Sequence, residues 1–155
     1  MERGGNEELL HRLNEGNKVL GGLWEIWKRE NLAIGLKVRL LESIFVPTVL
    51  YGCGVWVWNE KVRKRLDVIE MKALRMICGV SRRDRVRNVR IREICGWNRS
   101  LVERCQQGIL KWFGHIVRMG EDRLVKKLFE SKVGGNMGRG RPKGRWMDGW
   151  GEEAG

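Results

Sequence analysis

The sequence predicts an all-α fold of about six helices, a helical bundle followed by a basic, glycine-rich and flexible tail. Apolar residues recur at steps of three and four through residues 60–78 and 101–119, which is the period of one face of a helix. Gly79 follows the first stretch, at a position where a left-handed residue would close the helix, and Gly120 is expected to stop the second. Only two prolines interrupt the 155 residues, so long helices are allowed.

The first third of the chain predicts two helices. Leucine and tryptophan residues repeat at three and four through residues 7–29, and Gly16 is a weak point where this helix could break. A second helix is expected from about Leu36, with Lys37 on its outer face, and Pro47 must kink or end it. Its inward residues are expected to be Leu40, Leu41, Ile44 and Phe45.

Residues 48–58 are rich in aromatic side chains and leave two interpretations open. Their aromatic density indicates a buried hinge between two helical layers. A short strand is the alternative, because Val55 and Val57 alternate with Trp56 and Trp58.

The helix expected from Glu60 to Cys78 is the most regular element of the chain. Its apolar stripe comprises Val62, Leu66, Ile69, Ala73 and Met76 or Ile77. Charged residues occupy the opposite face. Directly after Gly79, six arginines and a single acid lie between positions 82 and 92. Because the planar, five-donor guanidinium group suits phosphate oxygens, this cluster is the main functional signal in the sequence.

Three further helices are expected, over residues 89–95, 101–119 and 122–131. The expected N-terminal caps are Asn88 for the first of them and Asn98 or Ser100 for the second. The inward residues of the third are expected to be Leu124, Leu128 and Phe129. The glycine-rich region from Gly134 onward is expected to be flexible.

The net charge of +12 is concentrated in the middle of the chain. Residues 1–60 are almost neutral, whereas residues 61–120 carry sixteen Lys or Arg against five Asp or Glu. This distribution predicts that the first part packs on protein and that the middle meets a polyanion, of which nucleic acid is the best candidate. The alternative is a basic face that is merely solvated.

The sequence carries no catalytic or metal-binding motif that we recognise. It has no phosphate-binding loop, no His-Glu-x-x-His pair and no acidic cluster for two magnesium ions. A lone histidine beside aromatic residues, such as His115, is more often structural than catalytic. The four cysteines form no C-x-x-C pair, so a zinc site is not expected. Cys78, Cys95 and Cys105 fall on apolar helical faces, so buried reduced thiols in an intracellular protein are the better interpretation. No apolar run reaches the ~20 residues that a membrane span requires.

Three parts of the sequence combine cationic side chains with aromatic or small residues, as surfaces that bind nucleic acid do. They are residues 82–92, residues 111–118 around Trp112, and residues 139–145. No base-reading motif is present, so we expect contacts with the nucleic-acid backbone that are independent of base sequence. The candidate nucleic-acid-binding residues are Arg82, Arg83, Arg85, Arg87, Arg90, Arg92, Lys111, Trp112, His115, Arg118, Arg139, Arg141, Lys143 and Arg145.

Several short motifs follow one another along the chain. They are Leu50-Tyr51-Gly52 with Trp56, residues 68–75, residues 78–88, residues 108–119, and residues 138–142 with Trp146-Met147-Asp148. In their order and spacing these motifs resemble the region after the polymerase palm in reverse transcriptases of non-LTR, LINE-type retrotransposons.

The family combines an endonuclease, fingers and a palm with the catalytic aspartates, a helical thumb and a basic C-terminal region. This chain lacks the Tyr-x-Asp-Asp signature of the palm, so the resemblance implies thumb-like gripping of a template–primer duplex and no catalysis by the chain alone. Magnesium is expected only for the missing palm, and no cofactor is expected in this chain. The implied partners are the missing palm and fingers, and RNA, RNA–DNA hybrid or DNA; no membrane is expected. Cys53 and Gly54 depart from the polar residues that usually follow Tyr51-Gly52 in the family.

The resemblance therefore implies a fragment of an RNA-directed DNA polymerase, intracellular and nuclear. Residues 1–58 would follow the palm, residues 59–133 would form the thumb-like basic region, and residues 134–155 would form the tail. The alternatives are a non-enzymatic interaction module and a degenerate relic with a solvated basic face. Without a palm, an apolar face around residues 20–27 and 50–58 is expected to be exposed and to favour self-association.

Overall fold

A computed structural model describes the backbone of residues 3–130 and the side chains of residues 7–130. Residues 3–130 form helices and turns and no strand, which confirms the all-α prediction. The helices are α1 (Arg3–Gly22), α2 (Trp24–Trp27), α3 (Ile34–Leu40), α4 (Val46–Val49), α5 (Glu60–Cys78), α6 (Asn88–Cys95), α7 (Leu101–Val117) and α8 (Leu124–Glu130). None of these helices is long and apolar enough to cross a membrane. The predicted flexible tail lies outside the described residues.

Helix α5 is the centre of the core and packs against α1, α3, α6 and α7. Its predicted apolar stripe is buried, from Val62 through Leu66 to Ile77. The Asn59 side chain caps the helix by accepting a hydrogen bond from the Val62 backbone N–H at 3.0 Å. Gly79 ends it in the left-handed conformation that the sequence predicts.

Helix α1 does not break at Gly16 but runs through it, and the expected single helix over residues 7–29 ends at Gly22. A side chain at position 16 would meet the core directly, because a Cβ atom there would lie 2.5 Å from Cγ2 of Val49. The absence of a side chain at Gly16 thus allows α1 to approach its neighbours closely. After a turn at Leu23, the short helix α2 carries the chain onward.

A π-helical turn, Leu41–Phe45, joins α3 to α4 and places Pro47 near the N-terminus of α4, where proline is tolerated. Two of the expected orientations here are wrong, one in α3 and one within the turn itself. Ile44 is exposed, and Lys37 is buried and donates to the Trp27 carbonyl oxygen at 2.7 Å.

The aromatic segment after α4 is a short 3₁₀ turn, Cys53–Val55, so the strand alternative is wrong. Trp56 and Trp58 are buried, as a hinge between helical layers requires. The expected apolar face is therefore only partly exposed. Its large members at positions 20, 27, 56 and 58 are buried, whereas Trp24, Val55 and Val57 remain exposed.

The caps of α6 and α7 differ from each other in how well the sequence predicts them. Asn88 is the first residue of α6 and makes no cap, since Arg87 precedes the helix and offers no side-chain hydrogen bond. Ser100 caps α7 in a reciprocal capping box with Glu103, as the second of the two predicted alternatives requires.

The C-terminal helix α8 is mostly exposed, so the expected inward direction of its apolar residues is wrong. Leu124 is 70% exposed and Leu128 is exposed as well, whereas Phe129 is half-buried. Phe129 packs on α7, with its ring 5.8 Å from that of Phe113. A helix of seven residues that rests on one neighbour buries only a small part of its surface.

Candidate nucleic-acid interface

Residues 79–87, here called the basic turn, connect the end of α5 to the start of α6. The side chain of Asp84 shapes this turn by accepting hydrogen bonds from the Ser81 backbone N–H at 2.6 Å and from the Ser81 hydroxyl at 2.8 Å. The same bonds hold the pKa of the Asp84 carboxyl below its ordinary value. The only acid in the turn is thus used internally, to order the backbone.

Four arginines project from the basic turn into solvent, at positions 82, 83, 85 and 87. None of the four makes an ion pair within the described residues. Arg85 has a φ of 51°, a left-handed conformation that is uncommon for a residue with a side chain. The turn therefore gathers several unneutralised guanidinium groups into one short segment of ordered backbone.

The other two arginines of the predicted cluster are already paired. Arg90 contacts the exposed Glu93 at 3.1 Å on the same helix. Arg92 is half-buried and donates to a carboxylate oxygen of Glu70 through Nε at 2.9 Å and through a terminal nitrogen at 2.8 Å. Arg92 thus helps to hold α6 on α5, and the free arginines are those of the turn.

Glu70 is a buried carboxylate, 1% exposed, that joins three helices. Besides Arg92 of α6, it accepts a hydrogen bond from the Leu101 backbone N–H at the start of α7, at 2.5 Å. A carboxylate at a helix N-terminus is also favoured by the helix dipole. Sequence reasoning missed Glu70, although its place inside the apolar stripe of α5 was a usable signal.

A groove of about 1060 Å³ lies between the basic turn and the outer face of α5. Its charged lining comprises Arg82 and Arg85 of the basic turn, Lys72 and Arg75 of α5, Arg92 of α6, and one acid, Asp67 of α5. Apolar surface is contributed by Trp24 of α2 and by other side chains of α5. The groove therefore combines cationic edges with an apolar lining.

Lys72 and Arg75 were not among the candidate residues, because their helix was expected to be structural. Arg75 donates to the Val86 carbonyl oxygen at 3.1 Å and to the Asn88 side chain at 2.8 Å, both neutral acceptors. Lys72 donates to the Asn17 side chain at 2.6 Å. Both keep their positive charge without a carboxylate partner in the described residues. Their spacing of three on the charged face of α5 was the available signal.

A second group of candidate residues lies on α7, around a smaller hollow of about 440 Å³. Lys111, Trp112 and His115 line it together with residues of the 3₁₀ turn. The rings of Trp112 and His115 are 5.6 Å apart. Arg118 is exposed just after α7.

The four candidate residues of the tail, Arg139, Arg141, Lys143 and Arg145, lie outside the described residues. Among residues 3–130, no group of three or more His, Cys, Asp or Glu side chains could hold a metal ion. Comparisons of the chain with protein-family models, with curated proteins and with solved structures found no match.

Proposed function

We propose that this chain binds nucleic acid through its phosphate backbone, with the basic turn and the groove beside it as the contact surface. In this proposal the chain is the thumb-like, post-palm part of a LINE-type RNA-directed DNA polymerase and has no catalysis of its own. Binding of this kind needs no cofactor. The proposed partners are nucleic acid and the palm and fingers of the polymerase, and the proposed location is the nucleus.

The observation that carries the proposal is the set of four exposed arginines without an ion pair in the described residues. Four positive charges on one short turn repel one another, and an anion bound among the side chains would reduce that repulsion. Phosphate is the anion whose geometry best fits a guanidinium group, which can donate two parallel hydrogen bonds to it.

The groove extends this surface and favours a chain-like ligand over a single anion. Lys72 and Arg75 line, together with Arg82 and Arg85 of the basic turn, a groove of about 1060 Å³, far more than one phosphate fills. The exposed Trp24, with the Lys28 ammonium 4.9 Å from its ring centroid, adds aromatic surface and a further cation to the groove. A polyanion with flat, partly apolar units matches both features.

The test is the salt dependence of binding to an RNA–DNA hybrid, measured by fluorescence anisotropy. With about six phosphate contacts, the slope of log affinity against log salt is expected to be roughly −4 to −5. Replacement of Arg82, Arg83, Arg85 and Arg87 by Ala is expected to reduce the slope to about −1 to −2, because four contacts with their released counterions are lost.

A matched control removes the same charge elsewhere. The exposed residues Arg29, Arg39, Lys61 and Lys64 line neither hollow, and their replacement by Ala lowers the net charge by the same four units. The control variant is expected to keep most of the original slope. An unchanged slope in the arginine variant would show that the basic turn does not contact the nucleic acid. Equal affinity for heparin and for the RNA–DNA hybrid would favour the alternative of a general interaction module.

A further inference from the structure

Two cysteines meet at the base of the basic turn. Cys78 is the last residue of α5 and Cys95 is the last residue of α6. They are free thiols whose sulfur atoms lie 3.3 Å apart, although 17 positions separate them in the chain. The basic turn lies between them in the sequence.

We propose that Cys78 and Cys95 form a reactive dithiol that a peroxide oxidises to a disulfide, closing a covalent loop around the basic turn. This inference goes beyond nucleic-acid binding and does not depend on it. A disulfide needs a sulfur–sulfur distance of about 2.05 Å, so the two sulfur atoms, now 3.3 Å apart, must approach each other by little more than 1 Å.

The two thiols have unequal surroundings, which divides the roles between them. Cys78 is half-buried, whereas Cys95 is 5% exposed. The hydrogen bond with Cys95 lowers the pKa of Cys78 to about 7, and the charges of Arg75 on α5 and Lys37 on α3 act in the same direction. The same hydrogen bond, with burial, raises the pKa of Cys95. Cys78 is therefore the attacking thiolate and Cys95 the resolving thiol.

The chemistry runs in two balanced steps. The Cys78 thiolate attacks one oxygen of hydrogen peroxide, the O–O bond breaks, and the leaving hydroxide takes up a proton to become water. The Cys95 sulfur then loses its proton and attacks the sulfenic sulfur of Cys78. The S–S bond forms, the S–O bond breaks, and the leaving hydroxide takes that proton as a second water. Two thiols lose two electrons and two protons, and one peroxide is reduced to two waters.

The other two cysteines provide an internal comparison. Cys53 on the 3₁₀ turn and Cys105 of α7 also interact, since hydrogen bonding to Cys105 lowers the pKa of Cys53. Both of these side chains are buried, so a peroxide in solution reaches neither of them readily. We therefore expect oxidation to join Cys78 to Cys95 before it changes Cys53 or Cys105.

The disulfide would join the ends of two helices that the buried Glu70–Arg92 pair already holds together. A cross-link over this separation restricts the unfolded chain and is expected to raise Tm by about 5 °C or more. The covalent loop would contain the basic turn and its arginines. Oxidation would thus covalently join the C-terminal ends of α5 and α6, on either side of the basic turn in the sequence.

The test treats the intact chain with an equimolar amount of hydrogen peroxide and maps the products by tryptic mass spectrometry. Cleavage after arginine places Cys78 in peptide 76–82 and Cys95 in peptide 93–99, so the cross-link is seen directly as two joined peptides. We expect this cross-linked pair as the first product, a rise in Tm, and reversal of both by a thiol reductant.

Two variants make the test specific. Cys78→Ser removes the half-buried thiol and is expected to abolish the cross-link and the rise in Tm. The double variant Cys53→Ala and Cys105→Ala keeps the proposed dithiol and is expected to react as the original chain does. Irreversible oxidation of Cys78 without a cross-link, a Cys53–Cys105 cross-link formed first, or a cross-link that lowers Tm would overturn the proposal.

Discussion

At the residue scale, the candidate interface depends on which charges have partners. The sequence predicts one cluster of six arginines, but the structure separates them by neighbouring carboxylates. Arg92 is joined to the buried Glu70 and Arg90 to the exposed Glu93, whereas those of the basic turn remain unpaired in the described residues. The sequence shows the cluster of arginines. It does not show which of them are paired, because Glu70, the partner of Arg92, lies 22 positions away in the chain.

Replacement of Glu70 by Ala is expected to destabilise the fold strongly. It would leave the half-buried Arg92 guanidinium with only the more distant carboxylate of Asp67, at 3.6 Å, and the Leu101 backbone N–H without its Glu70 acceptor. The loss of one partner of such a pair costs about 3 kcal/mol. Urea unfolding followed by circular dichroism measures this change in the free energy of unfolding.

The matched control is Glu93→Ala, which removes a carboxylate from an exposed arginine pair on α6. Its expected effect is less than about 1 kcal/mol, because solvent screens surface ion pairs. Equal losses in the two variants would mean that Glu70 contributes no more than a surface charge.

At the scale of the elements, a helix boundary agrees with the sequence prediction where a capping side chain or a left-handed glycine marks it. Gly79 ends α5 in the left-handed conformation that the sequence predicts, and Gly96 ends α6 in the same way. The predicted stop at Gly120 is wrong, because α7 ends at Val117 and Gly120 is not left-handed. The prediction for Gly16 is wrong. Its low helix propensity indicated a possible break in the helix, but α1 continues through Gly16 and packs closely on the core there.

Two glycines of α1 therefore give opposite predictions for the same substitution. Gly21 has no atom within 4 Å of the position of an added Cβ, so Gly21→Ala is expected to stabilise the chain by about 0.5 kcal/mol through helix propensity. At Gly16 the added Cβ would lie 2.5 Å from the buried Val49 side chain. Gly16→Ala is expected to lower stability by about 1 kcal/mol, because overpacking outweighs propensity.

Thermal unfolding of the two glycine variants measures both effects, and each kcal/mol corresponds to a shift in Tm of about 2–4 °C for a chain of this size. Two rises in Tm would show that α1 can move away from α4 at little cost. The close approach at Gly16 would then not be a constraint on the fold.

At the scale of the whole molecule, a large positive charge opposes the association of exposed apolar residues. Val55 is 60% exposed and Val57 is 45% exposed, while the chain carries a net charge of +12. Repulsion between such chains is long-ranged at low salt, where the Debye length is about 30 Å at 0.01 M, and falls to about 3 Å at 1 M. Salt therefore decides which of the two effects dominates.

Sedimentation velocity is expected to find monomers at 0.01 M salt and self-association at 1 M salt, because screening removes the repulsion and leaves the apolar contact. Replacement of Val55 and Val57 by Ser is expected to reduce the association. Val89→Ser, at a residue that is 65% exposed on α6, is the control and is expected to leave it unchanged. Monomers of the original chain at both salt concentrations would contradict the prediction.

The sequence by itself determined the helical class, the central helix α5 with its glycine stop, and the concentration of arginine between α5 and α6. These features depend on periodicity, on cap residues and on charge, all of which act over a few neighbouring positions. The sequence also carries the resemblance to the reverse transcriptases, which remains a proposal.

The tertiary structure alone decided which charges are free and which thiols meet. Glu70 reaches Arg92 and Leu101, and Cys78 lies 3.3 Å from Cys95. Lys72 and Arg75 line one groove together with Arg82 and Arg85 of the basic turn. The physical reason is distance along the chain. Contacts between residues 17, 22 and 31 positions apart depend on how helices pack, and helix packing is set by side-chain volumes throughout the core.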